Sequence, residues 1–294
     1  YNLAPPKFQQ AITIPEHPGT QFSINNIYED NEGQIWLISG KKIFRWNREN
    51  HELLPINLPF PIHSKFGGML QDEDGIYWLT TGRLLIKYDH NNNETRLFSP
   101  WDFIGDNYRV IQRHVYPVWE DEDGNIKMLA SGILLTFDKK KEQFIKHFPV
   151  QDSIGFTPGF ITQVLPAGKG EMWISTFDGL HFLDETNADV NVFKNNPNDS
   201  NSLSNNYTLS LCTDPENPTV LWVGTRGGGL NRFDLNTQRF THFTKADGLP
   251  NNVVYGILPD DNGNLWLSTN KGISKFNIQA KTFRNYTVQD GLQS

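Results

Sequence analysis

Residues 261–277 read DNGNLWLSTNKGISKFN. Gly263 punctuates a turn, Leu265, Trp266 and Leu267 form a short apolar run, and Ser268 and Thr269 end it. Asn270, Lys271 and Gly272 make a second turn, after which Ile273 to Phe276 alternate apolar and polar and Asn277 closes the stretch. This is a strand, a tight turn and a second strand. The pattern recurs through the chain. A glycine stands three residues before a Trp in Gly33/Trp36, Gly75/Trp78, Gly170/Trp173 and Gly263/Trp266. Two copies are degenerate: Lys127 replaces the Trp after Gly124, and Thr219 replaces the Gly before Trp222. The six positions step by 42, 49, 46, 49 and 44 residues. A period of roughly 40–50 residues with four short strands per unit is the mark of a propeller blade.

Each copy supplies four strands. An inner strand such as Asn26-Ile27-Tyr28 or Thr208-Leu209-Ser210-Leu211 precedes an acidic turn. There Asp and Asn side chains bond nearby backbone and Gly accepts positive φ. The Trp strand, as in Leu221-Trp222-Val223, is apolar without alternation. That suits a strand buried on both faces, with the Trp as a wedge between stacked blades. The third strand ends in an aromatic and a turn residue, as in Phe233-Asp234. The fourth carries spaced aromatics such as Phe240 and Phe243 and alternates as an outer edge strand should. Residues 7–14 (KFQQAITI) resemble the fourth-type strand at 281–288. The fold class is therefore all-β, a β-propeller of four-stranded antiparallel blades with six repeats visible. It is read as a seven-bladed ring whose last blade is incomplete in this sequence, against a six-bladed ring with one spare strand. The start at Tyr1 rather than Met reads as a piece of something longer, with residues 1–294 forming one propeller domain.

The remaining composition excludes more than it assigns. The 294-residue chain has a net charge of −7 with both signs interspersed, so no basic stripe exists for phosphate contacts and no nucleic-acid partner is expected. Cys212 is the one cysteine, which leaves neither an internal disulfide nor a Cys-based metal site. The eight His residues are scattered without an HxH or HxxxH pair, and no Gly-x-Ser-x-Gly occurs. Neither a catalytic set, a metal nor a cofactor is expected. No run approaches the roughly 18 apolar residues of a membrane span, so membrane contact would come only through segments outside this sequence. Gly227-Gly228-Gly229 lies between two strands with no helix after it and reads as a hairpin turn, not a phosphate loop.

A repeated motif holds the fold, and a functional site should break the repeat. The longest interruption lies between Phe98 and Tyr116 and contains Trp101, Phe103, Tyr108, Arg109, Arg113 and His114. Aromatics and Arg on one loop suit a sugar or acidic-sugar site, with rings stacking on pyranose faces and Arg pairing carboxylate or sulfate. The other reading is a loop that packs its own aromatics or caps the channel. A second departure, 151–160, carries Phe156 and Phe160, and a third is Arg226 beside the glycines. Tyr207 and Tyr255 stand where they line the entrance on the loop side or else pack the inner strands. The candidate ligand-binding set is Trp101, Tyr108, Arg109, Arg113, His114, Arg226 and Tyr255.

LWVGTRGGGLNRFD at 221–234, SLSNN at 202–206 and EDNEGQIW at 29–36 resemble the repeats of two-component regulator propellers. The resemblance implies a periplasmic sensor region of a hybrid two-component system for polysaccharide use, anchored in the inner membrane through segments elsewhere. FRNYTVQDGLQS at 283–294 is similar to the end of the second propeller of such sensors. By the same resemblance the expected partners are an oligosaccharide, a neighbouring propeller, an Ig-like domain and a second copy of the chain. Two rivals stand beside this reading: a structural spacer with the ligand bound elsewhere, and a propeller glycosidase or lyase.

Overall fold

The computed structural model describes residues 24, 26–59, 62–81, 84–104, 115–130, 133–149, 161–187 and 189–292. The chain's contacts divide it into two compact units, one of Gln10–Gln151 and one built chiefly from Asp152–Ser294. Each holds three four-stranded antiparallel sheets, and these are propeller blades.

In the N-terminal unit, blade 1 is β1 (Asn26–Glu29), β2 (Ile35–Ser39), β3 (Lys42–Asn47) and β4 (Glu52–Ile56). Blade 2 is β5 (Phe66–Gln71), β6 (Tyr77–Thr81), β7 (Leu85–Asp89) and β8 (Glu94–Phe98). A single helical turn, α1 (Pro100–Ile104), follows where the sequence reads as loop. Blade 3 is β9 (Val115–Glu120), β10 (Ile126–Ala130), β11 (Ile133–Asp138) and β12 (Gln143–Pro149). In the C-terminal unit, blade 4 is β13 (Ile161–Gly168), β14 (Glu171–Thr176), β15 (Gly179–Asp184) and β16 (Asp189–Phe193). Blade 5 is β17 (Thr208–Thr213), β18 (Val220–Thr225), β19 (Leu230–Asp234) and β20 (Arg239–Phe243). Blade 6 is β21 (Val254–Pro259), β22 (Asn264–Thr269), β23 (Gly272–Asn277) and β24 (Thr282–Tyr286). The described residues hold six sheets and no seventh, and residues 7–14 lie outside them.

Sequential pairing in each sheet follows from the short turns, and the burial follows from stacking. All six residues of β18 are buried, whereas β8 keeps only partial burial on alternate sides. Each core lies between neighbouring blades of a unit. Trp36 of blade 1 packs with Met69, Tyr77 and Leu79 of blade 2, and Trp78 of blade 2 with Ile126, Leu135 and Phe137 of blade 3. Trp173 packs into blade 5 against Leu211 and Phe233, and Trp222 into blade 6 against Leu265 and Phe276. In these four blades the Trp is the wedge that the repeat implies, while Trp266 is half-buried and stacks on Tyr286 of its own blade.

The acidic turn is more than a backbone device. Asp30 Oδ1 accepts from the Glu32 and Gln34 amides at 3.0 and 2.8 Å, closing the turn. Its Oδ2 accepts from the Trp36 indole N–H at 2.7 Å, fixing the wedge. The same carboxylate–indole bond joins Asp72 to Trp78 (2.8 Å), Asp214 to Trp222 (2.8 Å) and Asp260 to Trp266 (3.0 Å). In blade 3 the buried Lys127 ammonium replaces the indole, 3.8 Å from Asp121 and 2.8 Å from the Thr136 hydroxyl. A cation beside a carboxylate takes over the N–H donor's electrostatic role, which is why the degenerate copy still folds as a blade.

Candidate functional site

In the C-terminal unit, one end of the strands gathers the β14–β15, β18–β19 and β22–β23 hairpins with the segments that lead into the inner strands. Asx turns shape those segments: Asn205 Oδ1 accepts from the Tyr207 amide and Asn251 Oδ1 from the Val253 amide, each at 2.8 Å. The β14–β15 and β18–β19 hairpins bond to the entry segments of the next blade, and the latter also to that of its own blade. The Gly179 amide donates to the Asn206 carbonyl and the Arg226 amide to the Tyr207 carbonyl, both at 2.8 Å. The Gly227 and Gly229 amides both donate to the Asn252 carbonyl at 2.9 Å. Two of the three glycines stand here for steric reasons. A Cβ on Gly228 would lie 2.1 Å from Ser204 Oγ, and one on Gly229 (φ 79°) would lie 2.2 Å from the Phe243 carbonyl oxygen. The hairpin reading of Gly227–Gly229 therefore holds.

This lattice presents two exposed tyrosines and a free arginine. Tyr207 is 46% exposed and its ring leans on Phe177 at 5.3 Å. Tyr255 is 52% exposed, and its hydroxyl donates to Asn270 Oδ1 at 2.9 Å. Tyr255 sits at a register shift, since Val254 pairs with Thr269 and Gly256 with Ser268. The same bulge falls at Leu209 in β17, Thr162 in β13 and Gly67 in β5. A bulge re-aims one side chain, and it is invisible in a sequence that alternates smoothly. Arg226 is exposed, bridges Val253 through its backbone, and its guanidinium has no ion-pair partner among the described residues. Asp178, one hairpin away, is neutralised by Lys194 at 2.8 Å. With its backbone tied to Tyr207 and Val253, an exposed Arg226 guanidinium at the end that carries the two tyrosines can take an anionic group.

The structure thus brings Arg226 and Tyr255 to one strand end with Tyr207, and adds Phe177 and Asn270, which no sequence signal marked. Trp101 lies in the N-terminal unit on α1, half-buried against the cluster of Trp78, Met128 and Phe137. Its indole Nε1 is buried without a hydrogen-bond partner among the described residues. The neighbouring Phe103 ring sits 6.0 Å from that of Phe144. For these two side chains the loop packs its own aromatics. Tyr108, Arg109, Arg113 and His114 lie outside the described residues, as do Phe156 and Phe160.

The acidic turns offer no catalytic pair among the described residues, because their carboxylates are bonded to indoles and turn amides. Elsewhere His181 and Cys212 are buried. Burial drives the His181 imidazole down to about 4, with the Asp178 charge and the Gly179 backbone opposing it. Burial, with the Asp214 charge in support, pushes the Cys212 thiol up to about 11. Neither is poised for chemistry at neutral pH.

The two component regulator propeller family matches residues 248–271. Histidine kinase P4 of Formosa agariphila is 33% identical over 125 residues, which is 40% of this chain and 9% of that protein. The chain therefore spans a small fraction of the kinase it matches. Virginiamycin B lyase of Staphylococcus aureus superposes with a TM-score of 0.67 at 14% identity, covering 93% of this chain and 87% of the lyase. The extracellular domain of a hybrid two component system of B. thetaiotaomicron covers 96% of this chain and 45% of its own at 15% identity, with a TM-score of 0.44. At these identities the structural likeness concerns the fold alone, and the lyase shares it. The family match falls on the entry segment, inner strand and Trp strand of blade 6, so the chain is a β-propeller in which that stretch is similar to a two component regulator propeller repeat.

Proposed function

We propose that this chain is an extracytoplasmic, ligand-sensing propeller of a hybrid two-component sensor that controls glycan use, without catalysis of its own. The observation that carries this reading is the two component regulator propeller match in blade 6, and the partial likeness to a histidine kinase supports it. The ligand of this reading is an oligosaccharide bearing an acidic group. It would stack on Tyr207 and Tyr255 and pair with Arg226 at the loop end of blades 4–6. The chain would form one propeller domain beside a second propeller and an Ig-like domain, in a homodimer whose arrangement the ligand biases. A ligand shifts such an equilibrium only by its differential affinity for the two arrangements.

The test is calorimetric titration of the protein with neutral and uronic-acid or sulfated oligosaccharides of plant and host origin. Binding of an acidic oligosaccharide that weakens at least tenfold in both Arg226→Ala and Tyr255→Ala is the expected result. Affinity unchanged in both variants removes this end from the site. A second reading, a spacer that relays binding from another domain, is favoured by the Tyr255–Asn270 bond, which occupies the tyrosine hydroxyl within the chain. It predicts no heat with any glycan.

A further inference from the structure

Blade 4 breaks the carboxylate–indole rule. Leu165 faces Trp173 in the β13–β14 ladder as Tyr28 faces Trp36 in β1–β2, so Ala167 stands at the sequence position of Asp30, on a register shift between Pro166 and Gly168, and lines the same space as Trp173. Six residues before the Trp, the acid is missing. The Trp173 indole N–H has no hydrogen-bond partner among the described residues, although the side chain is only 8% exposed. Where the acid would lie there is a pocket of about 310 Å³, lined by Ala167 and Trp173 and by residues of blade 5. It opens at the turn ends of the strands, away from the Arg226 hairpin.

The lining has a definite chemistry. Trp173 supplies an unmatched donor, the Glu171 carboxylate an acceptor, and the Gln238 amide both. Gln238 is held in the β19–β20 turn at φ 55°, its amide N–H bonded to the Asp234 carbonyl at 2.8 Å, which leaves the side chain for the pocket. The Phe193 and Phe233 rings, 4.8 Å apart and steeply inclined, add an apolar wall. Among the described residues no Lys, Arg or His lines the space. An anionic ligand would meet Glu171 with nothing to neutralise it. An apolar ligand would strand the indole N–H and the carboxylate. The volume is at the lower end of ligand pockets, roughly 300–1,000 Å³.

We propose that the cleft between blades 4 and 5, created by Ala167 in place of the blade aspartate, binds a small uncharged polyhydroxylated ligand of one or two sugar rings. A hydroxyl oxygen of the ligand accepts from Trp173 in place of the missing carboxylate, other hydroxyls donate to Glu171, and a ring face lies on the phenylalanines. The ligand class rests on this lining and not on the sensor reading, and the two sites are separable.

The decisive variant is Ala167→Asp, which restores the rule of the other blades. The carboxylate would occupy the pocket and satisfy Trp173, so the fold is kept while the site is closed. Calorimetric titration with glucose, galactose, xylose, cellobiose, maltose and lactose, with glucuronate as the anionic control, is the measurement. At least one neutral sugar should bind the wild type, A167D should weaken that binding tenfold or more without lowering the unfolding midpoint, and any heat from glucuronate should be unaffected by A167D. Trp173→Phe, which keeps the wall and loses the donor, should weaken it in the same direction, whereas Arg226→Ala should leave it unchanged. No heat from any neutral sugar, or heat that A167D leaves within twofold, overturns the proposal. Loss in R226A with retention in A167D would also overturn it and would place sugar binding at the loop end instead.

Discussion

Asp30 of blade 1 accepts a hydrogen bond from the Tyr77 hydroxyl of blade 2 at 2.8 Å, on the same oxygen that holds the Trp36 indole at 2.7 Å. The Trp36 and Tyr77 rings lie 4.8 Å apart, so one buried carboxylate fixes a wedge and ties it to the blade it enters. Burial alone would raise the Asp30 pKa, but the Trp36, Tyr77 and backbone donors outweigh it and hold it below the ordinary value. Burial and the bond to Asp30 push the tyrosine hydroxyl far up, so it remains a donor throughout the physiological range.

Tyr77→Phe removes one charge-assisted bond and leaves a carboxylate that keeps three other donors, so it should cost about 1–2 kcal/mol. Asp30→Ala leaves an indole N–H and a phenol without their acceptor and should cost about 3 kcal/mol or more. Chemical denaturation of the two single variants and the double variant measures this. The double should cost less than the sum, because both remove the same contact. Additive losses would deny the coupling.

The six-fold repeat was legible because the wedge, the turn glycine and the third-strand aromatic are fixed in spacing by the blade itself. The strand pairs and the inter-blade position of Trp36, Trp78 and Trp222 followed directly. The carboxylate–indole bond was not legible, since Asp in a Gly-containing turn is already explained by local backbone bonding. Its loss at Ala167 could have been noticed by aligning the copies six residues before the Trp position, where Asp30, Asp72, Asp121 and Asp260 stand, while blade 5 carries Asp214 eight residues before Trp222. Exposure of Tyr255 could not have been noticed, because it depends on a bulge that leaves the alternation Val254-Tyr255-Gly256 unaltered. Trp101 attracted attention as an aromatic in a long connection, where only the packing of α1 on blades 2 and 3 distinguishes a stacking platform from a plug.

Gly272 and Gly229 occupy equivalent places in blades 6 and 5, at φ 92° and 79°. A Cβ at either would meet a carbonyl oxygen of the fourth strand, Tyr286 or Phe243, at 2.2 Å. The obstacle is backbone held in a ladder, which cannot rotate away as a side chain would. Gly272→Ala and Gly229→Ala should each cost about 2 kcal/mol or more, combining left-handed strain with displacement of the outer strand. Gly40, with φ 59° and open space around it, serves as the control, and its Ala variant should cost about 1 kcal/mol. Equal losses at all three would show that φ alone decides.

Stability should fall with acid in two windows. His181 is 3% exposed and its folded pKa lies near 4 against an ordinary 6.5, so the folded state resists its protonation. Its contribution is complete above pH 6.5 and is lost as pH falls towards 4, by about 3 kcal/mol across the window. Below pH 4 the lowered carboxylates Asp30 and Asp260 take over, their stabilisation being present above the unfolded value and lost as they protonate. Denaturation at pH 7, 5.5 and 4.5 reads the first window, and His181→Gln should flatten it. A slope unchanged in the variant would assign the acid sensitivity elsewhere.

Cys212 lies on β17 with its side chain between blades 5 and 6, packed in the cluster of Trp222, Leu230 and Phe276. Its thiol sits 3.2 Å from the Thr213 carbonyl, and burial with the nearby Asp214 charge holds its pKa near 11. At pH 7.5 the thiolate fraction is then reduced by a few hundredfold relative to a free cysteine, whose pKa is about 8.5. Access is blocked as well, because blade 6 covers the sulfur. Labelling by a thiol reagent under native conditions should therefore follow transient separation of blades 5 and 6. It should accelerate in Trp222→Ala, where a wedge about 1% exposed is removed, and should be unaffected by Trp36→Ala, whose cluster belongs to blades 1 and 2. Quantifying label incorporation over time by intact-protein mass spectrometry gives the rates. Prompt stoichiometric labelling of the wild type would contradict the packed interface, and acceleration in both variants alike would show that opening is global and not confined to one pair of blades.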